Sequence, residues 1–212
     1  MGVFYRPAEV FDNLHLHPRC LAGLLVLATV VVAYDLVVMQ RTTTDQSLVA
    51  GLGSSAQLIL GPTLHIGTVG ILLLILAAIL MVLGRGFGGR ISYKQAFCVA
   101  VFSSLPPAVL ERAISVILLY ANPKGSFSLL EAINGVAPLD LRFLISKEER
   151  PLMHMAAGCL SLIWLYRARL QATGLRYAGE RITSVKSWMI AVLLWIGGAL
   201  AAVTAKGLLI SQ

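Results

Sequence analysis

The chain has 212 residues, 58% of them hydrophobic and only 13% charged, with a mean hydropathy of +0.82. Soluble domains carry about 25% charged residues, so this composition excludes a water-soluble globular protein and indicates one compact integral membrane domain. The net charge of +7 does not point to nucleic acid, because the Lys and Arg residues lie in short loops between apolar runs, without interleaved aromatics.

Residues 1–19, MGVFYRPAEVFDNLHLHPR, are mixed in character. Pro7 suits the first turn of a short helix with Glu9 beside it, and Pro18 ends the segment. Val3, Phe4, Val10, Phe11 and Leu14 are expected on the membrane face of an interfacial helix on the cytoplasmic side. The polar stretch QRTTTDQ follows the first apolar run in place of a cleavage site, so that run is expected to be retained.

Crossing ~30 Å of hydrocarbon takes about 20 apolar residues. Five runs qualify: 20–39, interrupted by Asp35; 62–83; 95–121; 152–170, short and mixed; and 185–205. The expectation is therefore an all-α, polytopic bundle of five transmembrane helices over residues 20–212. Ten basic residues, among them Arg85, Arg90, Lys94, Arg167 and Arg181, fall on one side of this arrangement and six on the other. The positive-inside rule then places the N-terminus in the cytoplasm and the C-terminus outside. Cys20, Cys98 and Cys159 lie in or beside apolar runs and read as small buried residues, not as a disulfide framework or a zinc site. Gly67 and Gly70, Ala156–Gly158, and Gly198 with Ala202 supply small faces for close helix packing or for self-association.

The third run contains SSLPPAVLERA, residues 103–113. Pro106 and Pro107 each remove a backbone donor and predict a kink or break, with Ser103 and Ser104 able to bond freed carbonyls. Glu111 and Arg112 are ionisable groups at membrane depth, which makes them site candidates. Neighbours on a helix point about 100° apart, so the two do not simply neutralise each other. Asp35 falls at a depth comparable to Arg112, and an Asp35–Arg112 pair between the first and third spans is expected, as structural glue or as a proton or ion relay. A break in mid-membrane also suits a small transporter or channel.

His65 and His154 sit one turn inside the same ends of the second and fourth spans, a placement that suits a b-type haem in an accessory subunit of a larger complex. The HxH of His15 and His17 is unspecific. The glycine-rich, basic turn 83–95 lacks the Lys-Ser/Thr ending of a phosphate-binding loop. Arg85, Arg90 and Lys94 in it suit anionic headgroups or a partner protein. Nothing resembles a nucleophile–base–orienter set, so no catalytic residue, metal or required cofactor is expected.

PAEVFDNLHLHP before the first span, GFGGRISYKQAFCVAVFSSLPPAVL around the third, and SLIWLYRARLQATGLRYAGERITSVKSWMIAVLLW across the last two resemble, in order and spacing, the Yip family of Ypt/Rab-interacting membrane proteins, in its bacterial branch. The resemblance implies a five-helix bundle with a cytoplasmic N-terminus and a proline in the third span. Eukaryotic members bind prenylated small GTPases and act in vesicle traffic. With 19 residues ahead of the first span, almost no counterpart of their cytoplasmic N-terminal domain is expected, and no equivalent of their Asp-Leu-Tyr-Gly-Pro motif is read in the sequence. The expected role is thus a non-enzymatic scaffold in the bacterial inner membrane, contacting lipids, other membrane proteins or a second copy of itself.

Overall fold

A computed structural model describes Val3 and residues 6–16, 19–41, 54–122 and 161–210. These form six helices: α1 (Pro7–Leu16), α2 (Leu21–Arg41), α3 (Ser54–Gly86), α4 (Tyr93–Ala121), α5 (Leu162–Ala178) and α6 (Ser184–Ile210). No strand longer than a single bridge occurs among the described residues.

Four of the helices contain a stretch long and apolar enough to cross a membrane: Leu21–Gln40, Leu60–Gly86, Tyr93–Ala121 and Ser184–Ala201. They match four of the five expected spans within a few residues. The run expected at 152–170 is different. Residues 152–160 lie outside the described residues, and the helix that follows, α5, runs on to Ala178 carrying Arg167, Arg169 and Arg176. Its mixed composition keeps it out of the set of apolar spans.

Helix α4 is the hub: α1, α2, α3 and α5 all pack against it, and α6 joins through α5 and α3. Its sequence shows why. Ala96, Cys98, Val99, Ala100 and Val101 are small or β-branched and fully buried, so neighbours approach on several sides. Gly23 of α2 faces Val101 and Phe102, and Gly174 of α5 faces Val99 and Phe11. A Cβ on Gly174 would lie 2.7 Å from Val99 Cγ1, so this glycine is required by close approach. The small faces expected at Gly67, Gly70 and Gly198 meet nothing within 4 Å. They open outward from the chain, and the tight crossings are made by other glycines.

The apolar side of α1 turns inward as well. Phe11 is 0% exposed, and Leu14 and Val3 are buried with it in the core formed by α4 and α5. These three residues face protein, not lipid, because α4 and α5 leave a concave apolar seat beside Gly174. The outward sides of α2, α3 and α6 carry bare apolar residues such as Leu21, Leu25, Leu64, Ile71, Val82 and Leu200.

Pro106 and Pro107 do not break α4, which is continuously helical from Tyr93 to Ala121. Both prolines are buried against neighbouring helices. In an apolar bundle the packing holds the helix through two lost backbone hydrogen bonds, where in water a Pro costs about 3 kcal/mol.

Candidate functional site

Among the described residues, two polar centres lie inside the bundle, and a third set of charges marks one of its ends. At that end the chain makes two tight turns, 87–92 and 179–183. Helix α3 terminates in a glycine cap: the Gly89 N–H donates to the Gly84 carbonyl and the Gly88 N–H to the Arg85 carbonyl, both at 2.9 Å. Gly88 takes the left-handed conformation (φ 80°) that this cap requires. Ser92 then opens α4 with a reciprocal cap, its Oγ accepting from the Gln95 N–H while the Gln95 side chain accepts from the Ser92 N–H.

The two turns are stitched together. Arg90 and Glu180 exchange both backbone hydrogen bonds, at 2.9 and 3.0 Å. Lys186 Nζ donates to the Phe87 carbonyl at 2.8 Å, and Arg85 Nε donates to the Ile91 carbonyl at 3.2 Å. Ile182 is the plug between them, buried against Gly84, Gly89 and Gly179, which have no room for a side chain. Arg85, Arg90, Lys94, Arg176 and Arg181 are exposed around this junction. The three cations expected to meet headgroups or a partner are thus on one surface, while the Arg85 side chain is also part of the turn's construction.

About two-thirds of the way along α4 from this basic end lies the first polar centre. Asp35 of α2 is only 4% exposed. Both of its oxygens meet His65 Nδ1 of α3, at 2.9 and 3.0 Å. Arg112 Nη2 of α4 approaches the other ring nitrogen, His65 Nε2, at 3.5 Å. The Arg112 guanidinium lies over the Tyr34 ring, 4.3 Å from its centroid. Tyr34 itself is buried, with Val38 and Leu119 beside it. The expected two-residue pair is therefore a three-helix assembly: His65 is the partner of Asp35, and Arg112 joins through the imidazole and the aromatic face. A cation over a desolvated ring is worth on the order of 1–2 kcal/mol, and an unpaired carboxylate at this depth would cost several.

Each ring nitrogen of His65 therefore already has a partner, which argues against its use as a haem ligand. His154, the expected second ligand, lies outside the described residues. Among the described residues no group of three or more His, Cys, Asp or Glu could hold a metal ion.

The second centre is Arg167 of α5, counted in sequence among the cytoplasmic charges. Its Nη2 donates to Ser104 Oγ at 2.8 Å, next to the prolines of α4. Among the described residues its buried Nε has no hydrogen-bond partner, and its guanidinium lies 5.6 Å from the Trp164 ring centroid. Glu111, part-buried, is the carboxylate whose charge acts on it. Helical geometry separates the two charges on α4: consecutive residues point about 100° apart, so Arg112 meets His65 of α3 and Tyr34 of α2 while Glu111 points to another side of the helix. Ser103, also expected to help at the prolines, bonds back to the Ala100 carbonyl at 3.2 Å. Ser104 instead accepts from α5.

Sequence reading missed Tyr34, and it gave Ser104 and Arg167 other roles than the contact they make with each other. For Arg167 a signal was available: the apolar residues Leu170 and Leu175 and the small Ala168, Ala172 and Gly174 after it continue a buried helical stripe, so the span does not end at Leu170. Tyr34 beside Asp35 carried none, since an aromatic residue near a span end is ordinary.

Against known proteins, a family model described as the Yip1 domain matches residues 1–205. No curated protein and no solved structure matches the chain.

Proposed function

The chain belongs to the Yip1 domain family, and from that premise we propose that it is a non-enzymatic scaffold of a bacterial inner membrane, organising lipids or other membrane proteins. In this reading the chain spans the membrane five times, with the N-terminus and the basic end in the cytoplasm and the C-terminus outside. The loop charges remain biased toward that end after Arg167 is withdrawn from the count, which supports the orientation.

One observation carries the scaffold reading: the buried ionic groups are committed to the bundle itself, whereas its outer surface is apolar and one end is ringed with cations. Asp35, His65 and Arg112 bind one another, and Arg167 holds Ser104. The continuous α4 removes the broken span on which a transporter reading rested. An exposed, largely apolar face of α6, with Val185, Trp188, Met189, Val192 and Leu193, adds surface for a lipid chain or a partner helix. Exposed cations beside such surface attract anionic headgroups by about 1 kcal/mol each.

Native mass spectrometry after gentle detergent extraction tests this. Anionic phospholipid or a defined membrane protein should remain bound to the wild type, and Arg90→Gln with Lys94→Gln should reduce that retention severalfold. A chain that retains neither, or a double variant that retains both fully, would overturn the reading.

A further inference from the structure

The cysteines read in the sequence as small buried residues, yet packing brings two of them together. Cys20 opens α2, its carbonyl accepting from the Leu24 N–H at 2.9 Å. Cys98 lies in the second turn of α4 and is 0% exposed. Their side chains interact directly, thiol with thiol. Cys20 also packs against the buried cluster that contains Cys98, and both are free thiols.

The meeting follows from how α2 and α4 lie. Three contacts along their interface keep one constant offset in numbering: Cys20 with Cys98, Gly23 with Val101, and Tyr34 with Arg112. The two helices therefore run parallel and in register, with the thiols one turn before a close approach at Gly23. A Cβ on Gly23 would lie 3.0 Å from Val101 Cγ1. A disulfide needs its Cα atoms within about 7 Å of each other, and a glycine contact is what lets two helix backbones approach closely. The two sulfurs differ in access. Cys20 is part-exposed and precedes the first span, Leu21–Gln40, whereas Cys98 is sealed behind it. A small uncharged oxidant meets Cys20 first.

We infer that Cys20 and Cys98 form a thiol–disulfide switch for peroxide, which when oxidised pins the start of α2 to α4. The Cys20 sulfur, as thiolate, attacks one peroxide oxygen. The O–O bond breaks, a sulfenic acid forms, and the departing hydroxide takes up the thiol proton as water. The Cys98 sulfur then attacks the sulfenic sulfur. An S–S bond forms, and the hydroxyl group leaves with the Cys98 proton as a second water. Peroxide has gained the two electrons that the two thiols lost. A cellular dithiol reverses the change through a mixed disulfide, and is itself oxidised to its disulfide. The reduced resting state relies on the orientation proposed above, which puts this end in the reducing cytoplasm. Oxidation then fixes α2 to the hub helix at the end of the bundle ringed with cations.

The test uses the full-length protein in the membranes of living cells, treated with hydrogen peroxide. Free thiols are then blocked with a maleimide under denaturing conditions, and the peptides are mapped by mass spectrometry. In untreated cells Cys20 and Cys98 should both carry the maleimide. After peroxide both should escape it together and appear in one linked peptide, which a dithiol reductant dissolves. Cys20→Ser should abolish the linked peptide. The oxidised protein, purified in detergent, should unfold at a Tm higher by on the order of 5 °C, and Cys20→Ser should lose that shift. Should Cys20→Ser fail to fold, peroxide-dependent linkage and Tm in the wild type with Cys159→Ser carry the same test. No linked peptide, a link to Cys159 instead, or a linked peptide that persists without Cys20 would each refute the inference. A link already complete in untreated cells would overturn the switch and the cytoplasmic placement of this end with it, whereas failure to link leaves that placement standing.

Discussion

At the scale of single residues, the structure separates groups that look equivalent in the chain. Ser103 and Ser104 are adjacent and both buried, yet the first returns to its own helix and the second is the hydrogen-bond acceptor for Arg167. Ser104→Ala leaves the guanidinium with its Nε already unpartnered and no acceptor beside it. The expected cost is about 1–3 kcal/mol, because a buried donor then loses its one hydrogen-bond acceptor among the described residues. Ser103→Ala removes one intrahelical bond and should cost about 0.5 kcal/mol. Denaturation of the two variants in one detergent measures the difference; equal effects would contradict the Ser104–Arg167 contact.

At the scale of helices, close approach rests on particular glycines. Gly174→Ala drives a methyl group onto Val99 and Phe11, separates α5 from α4 and unseats α1, and should destabilise by about 1–3 kcal/mol. Gly67→Ala places the same group in open space on α3. It should be neutral or slightly stabilising in the monomer, since Gly in a helix costs roughly 1 kcal/mol relative to Ala. Thermal shift of the two purified variants tests the ranking. Small residues were visible in the sequence at both positions, but spacing alone does not tell a packed glycine from one that faces outward. Helix existence was legible in the apolar runs of four spans, because length and hydropathy are local signals. The continuation of α5 beyond Leu170 to Ala178 was not read, because charged residues in a short mixed run look like a span end.

At the scale of the whole molecule, the bundle is closed at its basic end by a joint between two turns 90 residues apart in sequence, Arg90 with Glu180. Ile182→Ala would empty the space enclosed by Gly84, Gly89 and Gly179 and should cost about 2–4 kcal/mol. Hydrogen exchange of the Arg90 and Glu180 amides should accelerate in that variant, and unchanged protection would show that the plug is not what holds the joint.

What the chain determines by itself is its solvent and its segment list. Apolar runs of about twenty residues have one stable home, and loop charges bias how they lie in it, because both effects depend on composition within a single segment. Which polar groups meet is a different matter. Asp35, His65 and Arg112 are separated by 30 and 47 positions, and their meeting depends on how three helices are rotated about their axes. Depth along the membrane made Asp35 and Arg112 plausible neighbours; rotation put an imidazole between them. That rotation is set by the small, crowded faces of α4 and the glycines opposite it, so only the packed bundle decides where its charges stand.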